Sequence, residues 1–310
     1  MRSLVIDTDT ASDDAVALLL AVRSPEVTVR AVTVVAGNVP LELGTRNALL
    51  SLVLAGGGVV AFYACVAREM VRELETAQHV HGEDGLAGVP LPPPSGAAED
   101  LHAVDALRRI ARDEPGRHVL VTLGPLSNVA TALLLDPELL TRFAHTYCMA
   151  GAFDGVGNVH ATGEYNVWVD PEAAAMVLAA PGDKTFIGWD VSRRYAVVTP
   201  DEQRRLRELG PLGRFTVDVN RCVDEFARTH CGLAGFDLPD PIATAIAIDP
   251  GLVRRRERHH VIIGLDDRTR GGTFIDHRPL APPANAEVVW EVDEAGFKER
   301  LFRACSEDPT

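Results

Sequence analysis

Four carboxylates fall within eight residues of a 310-residue chain: Asp7, Asp9, Asp13 and Asp14, in the segment VIDTDTASDDAVALLL at residues 5–20. Two unit charges about 4 Å apart repel by roughly 4 kcal/mol at an effective dielectric near 20. Several carboxylates converging at a buried strand end therefore call for raised pKa values or a cation. A donor set made only of oxygen favours a hard ion, Ca²⁺ or Mg²⁺, over zinc or copper. Helix capping explains part of the cluster, because Ser12 or Asp13 can cap the following helix and Asp14 can complement its dipole. It leaves Asp7 and Asp9 without a cause.

Polar residues suited to holding hydroxyl groups recur along the chain. They are Asn38 after Ala36-Gly37, His81 in HVHGEDGL at residues 79–86, Asn158 after Gly157, Glu164 and Asn166 around Tyr165, and Asp240 before Pro241. Each has an ordinary explanation when taken alone. Asparagine beside glycine suits a turn, Glu164 and Asn166 at strand spacing share one face, and Asp240 can cap a helix that opens with proline. His81 can be a hydrogen-bonded loop histidine. Two other conspicuous segments read as structural: Gly56-Gly57-Gly58 lacks the spacing of a dinucleotide loop and ends a helix, and Arg254, Arg255, Arg256, Arg258, His259 and His260 suit a solvated strand edge.

Positioning such residues falls to an α/β fold, because apolar runs alternate with amphipathic stretches: an open, mostly parallel sheet with helices on both faces. Strands are expected near residues 4–6, 27–35, 119–123, 146–150 and 185–188, with helices at 13–22, 41–55, 99–112, 127–135 and 171–180. The polar motifs fall where strands hand over to loops or helices, the edge at which open α/β sheets bind ligands. Beyond Val191 the pattern changes to charged helices at 200–209 and 212–230, within a helical cap insertion at 195–240. A short apolar stretch at 240–248, strands at 260–265, 273–276 and 287–292 that form a C-terminal hairpin region, and a helix at 294–305 complete the chain. The proline-rich connection at 90–96 reads as a stiff surface segment, so residues 1–310 are expected to form a single domain.

Composition narrows the function. Hydrophobic content of 46% supports a sizeable core, and 30 Lys and Arg against 44 Asp and Glu give a net charge of −14. That balance disfavours nucleic acid and anionic membranes as partners and suits cations or neutral polar ligands. Without an apolar run of about 20 residues or a signal-like start, the expected location is cytoplasmic. Cys65, Cys148, Cys222, Cys231 and Cys305 are scattered and odd in number, which indicates neither a disulfide framework nor a thiolate zinc site.

The DTDTASDDAVAL stretch, the Ala36-Gly37-Asn38 loop and HVHGEDGL are followed in order by LGPLSN at 123–128, Gly157-Asn158, GEYN at 163–166, DPEAA at 170–174 and Asp240-Pro241. Together these motifs, spanning residues 7–241, resemble the inosine-uridine preferring nucleoside hydrolase family. The resemblance implies a calcium-dependent N-ribohydrolase that splits a small-molecule nucleoside into ribose and free base, and a homodimer or homotetramer. On that basis Asp9, Asp14, Asp240 and the backbone carbonyl of Leu123 hold Ca²⁺, and Asp9 also accepts the proton of the attacking water. Asp13, Asn38, Asn158, Glu164 and Asn166 bind the sugar, His81 lies near the base, and Asp7 supports the loop from behind. The residue types suit an oxocarbenium-like transition state, which needs a carboxylate base and polar groups clamping the ribose. DTDT after a strand also resembles the nucleophile motif of haloacid-dehalogenase-type phosphatases. That chemistry needs a lysine on the phosphate, and the two lysines, Lys184 and Lys298, precede a strand and lie in the terminal helix.

One position departs from the family pattern. Many members carry a histidine immediately before the late aspartate, placed to protonate the departing base, whereas this chain has Pro239. A positioned general acid contributes roughly 10²- to 10⁴-fold, so something must replace it. His230 or His160 is one candidate acid. Stacking of a purine on Trp189, Tyr165, Phe226 or Phe236 is a second solution, and a calcium-dependent nucleoside or ribose binding protein with little turnover is the alternative function.

Overall fold

The structure, a computed structural model, describes residues 1–57, 60–64, 69–91 and 97–307. Its main sheet contains β1 (Arg2–Thr8), β2 (Val27–Val34), β3 (Ala61–Ala64), β4 (His118–Thr122), β5 (His145–Met149) and β6 (Lys184–Ile187). Outside it β7 (Val197–Val198) pairs with β8 (Phe236–Asp237), β9 (Val253–His259) rejoins the sheet, β10 (Val261–Ile263) pairs with β11 (Thr273–Ile275), and β12 (Ala286–Val292) completes the sheet. The order across the sheet is β3-β2-β1-β4-β5-β6-β12-β9. All neighbours are parallel except β9, which runs antiparallel to β12 at the edge. VRRRERH in β9 is charged along its exposed length, as an edge strand should be to discourage pairing with other chains.

Helices cover both faces, as the alternating sequence pattern predicts. They are α1 (Ser12–Arg23), α2 (Leu41–Leu54), α3 (Gln78–His81), α4 (Ala103–Asp113), α5 (Ser127–Leu135), α6 (Tyr165–Val169), α7 (Pro171–Ala179) and α8 (Trp189–Tyr195). After them come α9 (Pro200–Glu208), α10 (Pro211–Val219), α11 (Arg221–His230), α12 (Pro239–Ile248) and α13 (Glu294–Cys305). β1 shows why two layers form: Leu4 and Ile6 join the core with α1, α2, α12 and α13, while Val5 points the other way into the core of α4, α5 and α7. α12 is buried from Asp240 to Ile248 because it lies against α1, which explains its almost wholly apolar sequence.

The strand order reverses at β1. From β1 the chain builds outward through β2 and β3, then returns to place β4 on the other flank. Loops leaving the carboxyl ends of β1 and β4 therefore diverge, opening the crevice in which such sheets bind ligands. Asp9 leaves one of these ends and Leu123 the other.

Several expected elements need correction. Glu164 and Asn166 are not on a strand; Glu164 caps α6, its carboxylate accepting the Asn166 and Val167 N–H groups. The helix expected at 212–230 is two, broken at Asn220, whose side chain turns back to donate to the Thr216 carbonyl at 2.8 Å. β3, four residues long, has no counterpart among the expected strands, whereas the arginine-rich segment expected as a solvated strand edge is β9, at the edge of the main sheet. Gly56, with φ of +75°, follows α2 as a helix-ending glycine should, while Gly58 lies outside the described residues. So do Cys65 and the prolines at 92–94; the other four cysteines are free thiols. Among the described residues no helix is long and apolar enough to cross a membrane.

Candidate active site

A cavity of about 470 Å³ opens at the crevice between β1 and β4. Asp13, Asn38, His81, Leu123, Asn158, Glu164, Tyr165, Asn166, Trp189 and Asp240, all singled out by sequence, contribute to its wall. A larger groove of about 880 Å³ lies by the start of β6 at Lys184 and contains none of them.

The acidic cluster sits on the floor. Ligand oxygens of Asp13, Asp14 and Asp240 lie within 4.8 Å of one another and all three residues are buried. α1 carries the first two in its opening turn, and α12 presents Asp240 from its own. Asp14 is held by the Thr8 hydroxyl at 2.5 Å and the Ala11 N–H at 2.9 Å, the reaching-back half of a capping box. Burial and the neighbouring Asp13 charge raise its pKa to about 6. Burial carries Asp13 to about 7, and burial together with Asp14, Asp13 and Asp9 drives Asp240 well above the ordinary carboxylate range.

Asp9 stands next to this group, close enough for its charge to act on Asp240 and that of Asp14 to act on it. It stands outside the tight trio, with Oδ2 accepting the Asn38 N–H at 2.6 Å. Its Oδ1 is buried without a partner. Two glycines bracket the carboxylate: a Cβ on Gly37 would lie 2.2 Å from Oδ2, and one on Gly124 2.8 Å from Oδ1. Burial and then the Asp14 charge raise its pKa. Asp13 Oδ1 is likewise buried without a hydrogen bond. Orphaned acceptors beside converging carboxylates, all of them hard oxygen donors, fit a divalent cation such as calcium or magnesium.

Behind the floor, Asp7 accepts from the Thr33 hydroxyl at 2.5 Å and from Asn128 Nδ2 at 2.7 Å. It lies outside the cavity wall, and burial lifts its pKa to about 7. The Leu123 N–H donates to the Asp7 carbonyl, tying the end of β4 to the end of β1. The Leu123 carbonyl accepts from Asn166 Nδ2 at 2.7 Å, and the same amide donates to the Met149 carbonyl at 3.0 Å. Asn158 Oδ1 takes the Tyr165 N–H, and the Glu164 carboxylate takes the Gly151 N–H at 2.8 Å. Burial raises Glu164 to about 7 despite these bonds.

His81 is buried beside this floor, its Nδ1 hydrogen-bonded to Ser12 Oγ at 2.7 Å. Asp13 Oδ1 lies 3.9 Å from the same nitrogen, but burial pushes the imidazole pKa down to about 4. At neutral pH the pair is a contact rather than an ion pair. Trp189 stands in the wall with the Arg193 guanidinium 4.5 Å from its ring centroid. Two sequence candidates fall elsewhere. Phe236 is wholly buried in the hydrophobic core and does not line this cavity. His230 is exposed at the end of α11, stacked on Phe226 with centroids 4.6 Å apart, and does not line the cavity.

The wall also contains residues to which the sequence assigned no role. His79, Trp168, Val223 and Asp237 line it. The HVH repeat marked His79 by type, but α3 and α11 meet only in the tertiary structure, and nothing local pairs residue 79 with residue 226.

The whole arrangement recurs in known proteins. A family model described as inosine-uridine preferring nucleoside hydrolase matches residues 4–299. The pyrimidine-specific ribonucleoside hydrolase RihA of Shewanella woodyi is 34% identical over 98% of this chain and 97% of its own. Among solved structures, a plant nucleoside hydrolase, the PpNRh1 enzyme, superposes with a TM-score of 0.91 at 28% identity, over 99% of each chain. A purine-preferring ribonucleoside hydrolase from Gardnerella vaginalis does so at 0.90 and 31%, over 98% of this chain and 99% of that one. The chain belongs to the inosine-uridine preferring nucleoside hydrolase family.

Proposed function

We propose that this protein hydrolyses the N-glycosidic bond of ribonucleosides to ribose and free base, with calcium as its metal. The observation that carries the proposal is the buried floor of Asp13, Asp14 and Asp240 beside Asp9 Oδ1, a carboxylate oxygen with no partner. Asp9, Asp14, Asp240 and the Leu123 carbonyl are the intended ligands. Bound there, calcium would acidify water and gather the ribose diol. Asp9 Oδ1 takes the proton of the attacking water, a role suited to a carboxylate whose basicity is raised by burial. Asp13, Asn38, Asn158, Glu164 and Asn166 orient the sugar and face positive charge developing on its ring. Asp7 holds the loop rather than the substrate.

The base occupies the side formed by Trp189, Tyr165 and α11, and we read the segment 195–240 as a helical cap on a single domain. The named relatives are divided between pyrimidine and purine preference, so the base is assigned by assay. We also infer a cytoplasmic homodimer or homotetramer, to be checked by fractionation and light scattering; the free thiols support the compartment. The deciding experiment incubates the protein with a panel of nucleosides, with and without chelator, and assays reducing sugar. Calcium-dependent ribose release is the expected result. Saturable nucleoside binding without release would replace the hydrolase with a binding protein.

A further inference from the structure

Pro239 lines the cavity beside Asp240 and carries no proton. Other wall groups that could give one are mostly occupied. The Tyr165 hydroxyl donates to the Glu75 carbonyl at 3.0 Å. Asp237 accepts from Ser192 Oγ at 2.5 Å and from Trp189. His81 is bonded through Nδ1 to Ser12 Oγ at 2.7 Å. Cys231 offers a thiol, a weak donor. His160 and His230 are not part of the wall.

His79 is different. It stands on α3, is exposed at the rim of the cavity, and its ring lies edge-on to Phe226 with centroids 6.1 Å apart. His230 braces the same phenyl ring by stacking. Among the described residues nothing is hydrogen-bonded to the His79 imidazole. A ribose held by the polar floor would direct its C1′ substituent toward the less polar part of the wall, to which Val80, Val223, Phe226 and Ala227 contribute along with His79.

We propose that His79 is the proton donor to the departing base, in the place that Pro239 cannot fill; this rests on the hydrolase function proposed above. As the C1′–N bond breaks, its electron pair moves into the base and the imidazolium N–H proton goes to a base heteroatom. Water adds to C1′ and gives its proton to Asp9. The products are ribose and neutral base, and exposure at the rim lets solvent return a proton to His79 as Asp9 releases one.

The test compares leaving groups, in calcium-containing buffer. Wild-type, His79→Ala, His79→Gln and His230→Ala proteins are assayed for kcat/KM on uridine, inosine and p-nitrophenyl β-D-ribofuranoside, whose phenolate departs without protonation. A positioned general acid contributes about 10²- to 10⁴-fold, so His79→Ala and His79→Gln are expected to lose at least tenfold on the better nucleoside but less than threefold on the p-nitrophenyl riboside. His230→Ala is expected to lose less than threefold on both substrates. Equal losses by the His79 variants on both, or no loss on either, would overturn the assignment, as would a selective nucleoside loss in His230→Ala alone. Wild-type turnover reports separately on the hydrolase function: if it cleaves none of the three, that function fails first and this assignment with it.

Discussion

Gly124→Ala probes Asp9 without touching its chemistry. Neither Gly124 nor Gly37 has a positive φ, so alanine brings no backbone strain at either position and acts only through its methyl group. At Gly124 that methyl would lie 2.8 Å from Asp9 Oδ1, 2.9 Å from Cγ and 3.0 Å from Cβ. The Asp9 carboxylate must retreat by about 0.6 Å to reach ordinary contact at 3.4 Å. A displacement of about 1 Å at a reacting group can cost about 10²-fold, so a retreat of this size predicts a loss of roughly tenfold in kcat. Overpacking adds a destabilisation of about 1–3 kcal/mol. Gly37→Ala, with its 2.2 Å approach to Oδ2, should be worse. Ribose release measured under saturating nucleoside, alongside urea melts, separates the two effects. A Gly124→Ala protein that keeps kcat within twofold would refute the placement of Asp9 as the base.

Other expectations follow from the same geometry. Asp9→Ala should abolish turnover while leaving nucleoside binding measurable by calorimetry; full activity would reject Asp9 as the base. Asn166→Ala removes the amide that holds the Leu123 and Met149 carbonyls and should lower kcat/KM for ribosides at least tenfold, without changing affinity for free bases. Chelation should lower the melting temperature, because an ion at 100 times its dissociation constant stabilises by about 2.7 kcal/mol; an unchanged melt would argue against the metal. Glu164 binds its proton more tightly in the fold, at about 7, than unfolded at 4.5. Its contribution to stability is therefore fully present below pH 4.5 and fades as pH rises toward 7, by about 3 kcal/mol. In chelated protein Glu164→Gln should flatten that decline, and urea melts at pH 5 and pH 7.5 that fall equally for both proteins would count against it.

The parts of the site readable from sequence are those set by short-range pattern. Asp7, Asp9, Asp13 and Asp14 could be assigned to a site because a buried strand and a buried helix force neighbouring carboxylates together, whatever the rest of the chain does. α1, α5, α7 and α13 lie close to their expected bounds for the same reason: capping, apolar content and length agree locally. The tight trio around Asp13, with Asp9 held apart between two glycines, depends on where α12 lies against α1 and has no local signal. Glu164 and Asn166 misled because a helix-capping residue and its successors can show the same alternation as a strand, and only the Gly151 and Val167 N–H groups decide which it is. Phe236 and His230 are aromatic types placed in the hydrophobic core and at the end of α11, both products of tertiary packing.

The acidic floor is tested most directly by a crystal grown with calcium and a ribose-like inhibitor. A single ion touching Asp9, Asp14, Asp240 and the Leu123 carbonyl, with the inhibitor diol beside it and Asp9 Oδ1 near the anomeric position, is the predicted result. Carboxylates pointing apart into solvent, with no ion among them, would contradict it.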